Sequence, residues 1–230
     1  MKQVKQIFFD LDHTLWDFEK NSSETLSELY DEFGLDKIIQ NKERFIATYQ
    51  TVNGQYWKKY RDGLIDKQTV RFGRFSDTLH RLRVVDADRI GRQIGDEYVL
   101  RGPHKTHVFP NVHETLRYLQ QKYPLHIITN GFKEVQSIKM TGANFNQYFN
   151  MVLCSEEVGV NKPHRKVFEH ALERTNCLPE NALMIGDNIE ADILGAQKVG
   201  IATILFDPKD EHPTQISRKI LDLKDLRQLL

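Results

Sequence analysis

The chain opens on a short apolar run that is too brief for a helix. Val4 and residues 7–9 are rich in strand formers, and two carboxylates, Asp10 and Asp12, follow at once. A run of this length and composition predicts a buried parallel strand that ends at Asp10. Because ligands of open α/β sheets bind at the carboxyl ends of the strands, Asp10 and Asp12 are candidate site residues.

A helical spacing of apolar residues then replaces the strand pattern and continues to Tyr98. It predicts four helices, whose apolar positions are Leu26, Leu29, Tyr30 and Phe33; Phe45, Tyr49, Val52, Tyr56 and Tyr60; Phe72, Phe75, Leu79 and Leu82; and Ile90, Ile94 and Tyr98. Asn21 and Glu24 resemble a capping box at the start of the first helix. A helical block between a strand and a later α/β segment indicates an inserted module, so we expect a helical cap over residues 17–100.

Beyond a return segment that contains Gly and Pro, residues 101–110, helix and strand patterns alternate. The expected helices lie near residues 112–119, 135–142, 163–175 and 189–199, and the expected strands at 125–128, 151–153, 182–185, 202–206 and, at the edge, 220–223. This alternation predicts a parallel sheet with helices on both faces. We therefore predict an α/β protein: a Rossmann-like, doubly wound core from residues 1–16 and 101–230, with the all-helical cap inserted.

Composition and charge narrow the possible partners. The 32 basic residues balance 32 acidic ones, so net charge favours neither a nucleic-acid polymer nor a membrane surface. No apolar run approaches the roughly 18 residues that span a bilayer, and no signal-peptide apolar region precedes the first strand. We expect a cytoplasmic protein in which Cys154 and Cys177 are reduced thiols.

Polar residues follow each predicted strand of the second half. They stand where the carboxyl ends of the strands would meet: Thr129, Asn130 and Gly131; Lys162; and Gly186, Asp187, Asn188 and Asp192. A hydroxyl and amides at the start of a helix suit a phosphate, a lysine can hold a phosphate as a point charge, and carboxylates suit Mg²⁺. Taken singly, the Thr129 segment is more typical of an ordinary turn and Lys162 of a surface lysine, and the segment after Gly186 is also typical of a helix cap.

Together these segments resemble the haloacid dehalogenase-like hydrolase superfamily. Its motifs are matched in order by Asp-x-Asp-x-Thr at Asp10, Asp12 and Thr14, by Thr129, by Lys162, and by Gly-Asp-x-x-x-x-Asp at Gly186, Asp187 and Asp192. The resemblance covers essentially the whole chain. It extends to the helical cap inserted directly after the first motif, as in the C1-cap subfamily.

The resemblance implies a role for each matched residue. Asp10 would attack phosphorus and become an aspartyl-phosphate, and Asp12 would protonate the leaving alcohol and then activate water. Mg²⁺ would be bound by the Asp10 carboxylate, the Asp12 backbone carbonyl and Asp187. Asp12 is then expected to need surroundings that raise its pKa.

The remaining residues would bind the phosphoryl group or support the site. Thr129 would donate a hydrogen bond to the phosphoryl oxygens, and Asn130 and Gly131 form a candidate phosphate cradle beside it. Lys162 would neutralise the phosphate and the nucleophile. The supporting residues are Thr14, Asn188 and Asp192.

Asp12 also bears on the type of reaction. The dehalogenases of the superfamily lack this acid because a halide leaves without a proton, so Asp12 favours phosphate esters. Residues 12–18, 128–132 and 155–163 are similar to the pyrimidine 5'-nucleotidase branch, whose substrate is a small phosphomonoester. Trp16 and Phe18 either stack on a nucleobase or pack as a hydrophobic seam.

Three alternatives remain open at this point. The first is a phosphatase of another small phosphometabolite, such as phosphoglycolate or a sugar phosphate. The second is a phosphomutase, and the third is a catalytically silent binding protein. The sequence leaves the oligomeric state undetermined.

Overall fold

The computed structural model describes residues 4–213 and 217–230. The chain divides into two compact units: the chain up to Phe18 together with Thr106–Leu230, and Glu19–Lys105. The sequence-based boundaries, after residues 16 and 100, lie within a few positions of these. Among the described residues, none of the helices combines the length and the apolar character needed to cross a membrane.

The unit Glu19–Lys105 is helical. Its helices are α1 (Phe18–Glu32), α2 (Asp36–Ile39), α3 (Lys42–Arg61), α4 (Lys67–Arg81) and α5 (Ala87–Arg101). The four long helices correspond to the four predicted ones, whereas the single turn α2 is too short to carry a periodic signal. The apolar positions of these helices form one buried cluster that includes Leu26, Leu29, Phe45, Tyr49, Phe75, Leu79 and Ile94.

The capping box predicted at Asn21 and Glu24 is wrong. Helix α1 begins earlier, at Phe18, and Asn21 lies buried within it. There the backbone carbonyl of Asn21 accepts a hydrogen bond from the hydroxyl of Thr25 (2.9 Å). Helices α3 and α4 do begin at capping side chains, since Asn41 and Asp66 accept backbone N–H bonds from the first helical turn.

Six parallel strands in the described residues form one sheet, in the order β3-β2-β1-β4-β5-β6. They are β1 (Gln6–Phe9), β2 (Leu125–Thr129), β3 (Phe149–Cys154), β4 (Ala182–Gly186), β5 (Ala202–Phe206) and β6 (Arg218–Ile220). The chain runs outward from β1 to β3 and then returns to β4 on the other side of β1. This reversal is the topological switch point of a doubly wound sheet. The doubly wound fold class is the one that the sequence predicted.

Both faces of the sheet are covered by helices. The helices are α6 (Val112–Leu119), α7 (Lys133–Gly142), α8 (Arg165–Arg174), α9 (Gly195–Gln197) and α10 (Leu226–Leu229). Along β1, Ile7 and Phe9 pack into one apolar cluster and Phe8 into the opposite one. All three side chains are fully buried, and each contributes about 1.5–3 kcal/mol to the free energy of unfolding, which anchors β1 at the centre of the sheet.

Several element bounds differ from the predicted ones, and at two of them a side chain caps the backbone. Helix α8 begins at Arg165 and not at residue 163, since His164 Nδ1 accepts the backbone N–H of Lys166 (3.2 Å). The helix predicted over 189–199 is a π-helical segment, Ile189–Leu194, followed by α9. Strand β6 ends at Ile220, because Asp222 caps a short turn through the backbone N–H of Lys224 (2.9 Å).

Candidate active site

Asp10 and Asp187 lie side by side at the carboxyl edge of the sheet. Asp10 follows β1 and Asp187 follows β4, and these strands are neighbours with Phe9 opposite Ile185. The backbone N–H of Asp10 donates to the carbonyl of Ile185 (2.9 Å), which continues the ladder by one residue. Both carboxylates therefore stand at the switch point, where doubly wound sheets bind ligands.

Lys162 places a buried ammonium between two carboxylates. Its Nζ donates to Asp10 Oδ1, to Asp192 Oδ1 and to the carbonyl of Ile128, each at 2.6 Å. Burial alone would lower the pKa of Lys162, but the charges of Asp10 and Asp192 outweigh it and hold that pKa above its usual value. Lys162 is therefore a fixed positive charge directed at Asp10.

A third carboxylate, that of Asp187, lies close to this pair. Asp10, Asp187 and Asp192 place carboxylate oxygens within 4.8 Å of one another. Burial, opposed by Lys162 and assisted by the neighbouring carboxylates, raises the pKa of Asp10 well above its usual value. Burial and the charge of Asp192 raise the pKa of Asp187 to about 7. A buried excess of carboxylate oxygens fits a hard divalent cation, so Asp10 and Asp187 are suited to hold Mg²⁺.

Asp192 is bound on both of its oxygens. Oδ1 accepts from Lys162, and Oδ2 accepts the backbone N–H of Asn188 (3.1 Å). Gly186 makes this approach possible, because a Cβ at position 186 would lie 2.4 Å from Asp192 Oδ2. The side chain of Asn188 accepts the backbone N–H of Ala191 (2.8 Å) and so caps the following segment. The backbone of Asn188 thus holds the carboxylate of Asp192, which in turn binds Lys162.

Thr14 supports the other carboxylate. Its side chain is fully buried, and its hydroxyl donates to Asp187 Oδ1 (3.1 Å). The loop after β1 is thereby tied to the end of β4.

Thr129 is oriented as a donor. Its Oγ1 accepts two N–H bonds, from the backbone of Gly131 (3.0 Å) and from the side chain of Gln136 (2.8 Å). With both acceptor positions in use, the hydroxyl hydrogen is left to donate. A donor at this edge of the sheet is what a phosphoryl oxygen requires.

Asn130 braces the loop that carries Lys162. Its Nδ2 donates to the backbone carbonyl of Lys162 (3.0 Å), and its Oδ1 accepts the backbone N–H of the same residue (2.8 Å). The side chain of Asn130 is therefore committed to this loop, and phosphate binding by its backbone N–H stays a prediction.

Asp12 lies in surroundings opposite to those predicted. Its Oδ1 accepts from Lys139 Nζ (2.6 Å), and its Oδ2 accepts from Gln136 Nε2 (2.7 Å). Burial acts to raise the pKa of Asp12, but the charge and the hydrogen bond of Lys139 outweigh it, so the pKa of Asp12 is lowered. The predicted rise is wrong, because a cation that the motif does not include pairs with this carboxylate.

Lys139 and Gln136 were not predicted as site residues. They lie one turn apart on α7, and both are buried. The sequence does contain an indication of their role. Both are polar, yet they share a helical face with Met140, which packs into the core. Polar side chains at core-facing positions, directly after the Thr129 segment, indicate a polar partner across the site.

Trp16 is part of the core of the α/β unit. It is 2% exposed, and Lys139 Nζ lies 4.3 Å from its ring centroid. Of the two alternatives for Trp16, packing as an apolar side chain is the one observed, and its packed ring is not free to stack on a nucleobase. Phe18 is half-buried, with the His13 ring 4.7 Å away between centroids, and its stacking on a base stays a prediction.

Comparisons with known proteins find relatives along nearly the whole chain. Pyrimidine 5'-nucleotidase YjjG of Escherichia coli (strain K12) is 31% identical over 228 residues, which cover 97% of this chain and 96% of that protein. A glyceraldehyde 3-phosphate phosphatase of Methanothermobacter thermautotrophicus is 28% identical over 98% of both chains.

Solved structures show the same fold. The HAD-hydrolase YfnB of Bacillus subtilis, in a crystal structure bound to magnesium, has a TM-score of 0.89 and 26% identity over 100% of this chain and 99% of that one. The L-2-haloacid dehalogenase of Xanthobacter autotrophicus, at 17% identity and a TM-score of 0.78 over 99% of this chain and 98% of that one, shares the fold alone. Residues 7–206 match the family described as haloacid dehalogenase-like hydrolase, and the chain belongs to that family.

Proposed function

We propose that the protein is a Mg²⁺-dependent phosphomonoesterase that forms an aspartyl-phosphate on Asp10. The observation that carries this proposal is the placement of Asp10 at the switch point. There it is bound by the ammonium of Lys162 (2.6 Å) and lies in one carboxylate cluster with Asp187. A carboxylate nucleophile beside a fixed cation and a candidate cation site is the arrangement that phosphoryl transfer needs.

The proposed reaction has two halves. Asp12 first takes up a proton from solvent, because Lys139 lowers its pKa and keeps it ionised at rest. Asp10 Oδ2 then attacks phosphorus in line, the bond to the leaving oxygen breaks, and Asp12 supplies that proton to the leaving oxygen. Water then attacks phosphorus of the aspartyl-phosphate, Asp12 takes a proton from the water, and the bond to Asp10 breaks. Lys162 and Thr129 stabilise the charge on the phosphoryl oxygens. Mg²⁺, held by Asp10, Asp187 and the backbone carbonyl of Asp12, would supply further charge neutralisation.

We propose pyrimidine nucleoside 5'-monophosphates as the substrate class. The likeness to the E. coli pyrimidine 5'-nucleotidase along nearly the whole chain supports this choice. A triose phosphate is the second candidate, supported by the likeness to the archaeal glyceraldehyde 3-phosphate phosphatase. The balance of 32 basic and 32 acidic residues supports small-molecule substrates over a nucleic-acid polymer or a membrane.

Phosphate release with Mg²⁺ tests this proposal. The panel comprises pyrimidine and purine nucleoside 5'-monophosphates, glyceraldehyde 3-phosphate, phosphoglycolate and glucose 1-phosphate, each with an EDTA control. We expect release to be fastest from the pyrimidine nucleotides and to stop with EDTA. A preference for glyceraldehyde 3-phosphate would support the second candidate, whereas isomerisation of glucose 1-phosphate without phosphate release would contradict the hydrolase assignment.

A further inference from the structure

We infer that Lys139 and Gln136 are positioning residues for Asp12, each holding one oxygen of its carboxylate. The inference rests on the proposed function, in which Asp12 gives a proton to the leaving alcohol and takes one from water. Neither residue belongs to the motif segments at the strand ends. Both lie on α7, 124 and 127 positions after Asp12 in the sequence.

The geometry leaves the Asp12 carboxylate a single orientation. Lys139 Nζ lies 2.6 Å from Oδ1, and Gln136 Nε2 lies 2.7 Å from Oδ2. A carboxylate bound on one oxygen can still turn about its bond to Cβ, whereas donors on both oxygens prevent that rotation. Proton transfer requires hydrogen-bond distance to the reacting oxygen, so orientation at Asp12 translates directly into rate.

Lys139 is itself held in place. It is 5% exposed, and its Nζ lies 4.3 Å from the ring centroid of Trp16 and 5.8 Å from that of Phe18. The backbone N–H of Trp16 donates to the carbonyl of Leu11 (2.9 Å), which closes the loop that carries Asp12. The ammonium therefore lies between the carboxylate that it binds and an aromatic ring of the same loop.

Gln136 couples Asp12 to the phosphoryl-binding hydroxyl. Its Nε2 donates to Asp12 Oδ2 and to Thr129 Oγ1 (2.8 Å), so one amide fixes both groups. Gly131 is required for this contact, because a Cβ there would lie 1.9 Å from Gln136 Nε2. The Oε1 atom of Gln136 is buried and has no hydrogen-bond partner among the described residues. The amide is therefore oriented so that Nε2 binds both Asp12 and Thr129, while Oε1 is left without a hydrogen bond among the described residues.

When a proton donor is misplaced, the loss of rate depends on the leaving group of the ester. An alkyl alcohol such as a nucleoside must receive a proton as it departs, whereas p-nitrophenolate departs without one. The ratio kcat/KM reports the steps up to departure of the leaving group. Loss of Lys139 or Gln136 should therefore slow alkyl phosphate esters far more than p-nitrophenyl phosphate.

The variants Lys139→Met and Gln136→Leu keep side-chain volume and remove the donors. We expect kcat/KM for the best nucleoside monophosphate to fall about 100-fold and that for p-nitrophenyl phosphate to stay within about threefold of wild type. Lys139→Arg, which retains a charged donor, should recover part of the loss. Lys166→Met removes an exposed lysine of α8 and should match wild type on both esters. An equal loss on both esters would show a structural role only and overturn the inference.

A structural readout separates this inference from the proposed function. In crystal structures of Lys139→Met and Gln136→Leu, we expect the Asp12 carboxylate to turn away from its wild-type orientation. An unchanged Asp12 in both variants would overturn the inference whatever the turnover. If the wild-type protein hydrolyses neither ester with Mg²⁺, the proposed function fails, and the orientation of Asp12 in the variants still decides whether Lys139 and Gln136 position it.

Discussion

At the scale of single residues, the absent side chain of Gly186 allows Asp192 to reach Lys162. A Cβ at position 186 would lie 2.4 Å from Asp192 Oδ2 and 2.5 Å from its Cγ, so Gly186→Ala must displace that carboxylate. We expect the free energy of unfolding to fall by about 1–3 kcal/mol and kcat to fall roughly 100-fold, because Lys162 loses one of its two anchoring carboxylates. Urea unfolding and phosphate release measure the two effects.

The matched control is Gly54→Ala, in the middle of α3. Nothing lies within 4 Å of a Cβ built at position 54. Replacing a glycine within a helix by alanine should raise the free energy of unfolding by about 0.5–1 kcal/mol and leave kcat unchanged. Wild-type kcat in Gly186→Ala would show that Asp192 does not orient Lys162.

His126 should make folding stability depend on pH. It is 4% exposed on β2, its Nε2 lies 2.8 Å from Gln6 Oε1, and burial lowers its pKa from 6.5 to about 4. Between these values the unfolded chain binds a proton that the folded chain does not, so stability falls as pH falls from 6.5 to about 4. A shift of 6.5 − 4 = 2.5 units corresponds to about 3 kcal/mol.

Unfolding of wild type and His126→Gln across this pH range measures the effect. Glutamine removes the titrating group and can keep the contact with Gln6, so the variant should lose about 3 kcal/mol less than wild type on acidification. His104→Gln, at an exposed position in the turn Gly102–His104, should keep the wild-type pH dependence. Identical pH dependence in wild type and His126→Gln would contradict this account of His126.

The two sets of site residues differ in how far the sequence could reveal them. Asp10, Thr129 and Asp187 were predictable, because strand ends with polar residues meet at one edge of a parallel sheet. Lys162 lies beyond the end of β3 at Cys154 and was predicted only from its place in the order of the motifs. The partners of Asp12 were not, since Gln136 and Lys139 are separated from it by 124 and 127 positions. Without those partners, the sign of the shift in the Asp12 pKa could not be predicted.

At the scale of elements, Asp66 fixes the start of α4. Its Oδ1 accepts the backbone N–H of Thr69 at 2.7 Å. Asp66→Ala should lower the free energy of unfolding of the helical unit by about 1 kcal/mol, whereas Asp66→Asn keeps an acceptor and should stay within a few tenths of wild type. Urea unfolding followed by helical circular dichroism provides the comparison, and equal losses in the two variants would contradict a capping role.

Element interiors were predictable, and element ends were less so. The long helices carry repeated apolar positions, and β5 (Ala202–Phe206) has the predicted bounds. Ends depend on single capping contacts, as at His164, where one ring nitrogen moves the start of α8 to Arg165. The capping box predicted at Asn21 was wrong because α1 begins earlier in the chain, at Phe18.

At the scale of the whole molecule, we expect Mg²⁺ to stabilise the fold by joining the ends of β1 and β4. A ligand that binds only the folded state at 100 times its Kd stabilises by about 2.7 kcal/mol, so Tm should rise with added Mg²⁺. Asp187→Asn removes a carboxylate of the cluster and should abolish that rise. Asp36→Asn, an exposed acid in α2, should keep it. A wild-type rise in Asp187→Asn would contradict the assigned cation site.

Fold class followed from the sequence, whereas the order of the strands did not. Alternating helix and strand patterns predict a parallel sheet, but which strands are neighbours depends on pairing between distant segments. Gln6 stands opposite Ala182, and Ile7 stands opposite both Leu125 and Leu183. That pairing creates the switch point and so brings Asp10 and Asp187 together.

The central claim is that Asp10 carries the phosphoryl group during turnover. Acid quenching of the enzyme with Mg²⁺ and its best substrate, followed by mass spectrometry of the peptides, tests this claim directly. We predict a phosphoryl group on Asp10 in wild type, and neither this modification nor measurable turnover in Asp10→Asn. Turnover at the wild-type rate by Asp10→Asn, or a phosphoryl group trapped on another residue, would contradict the account.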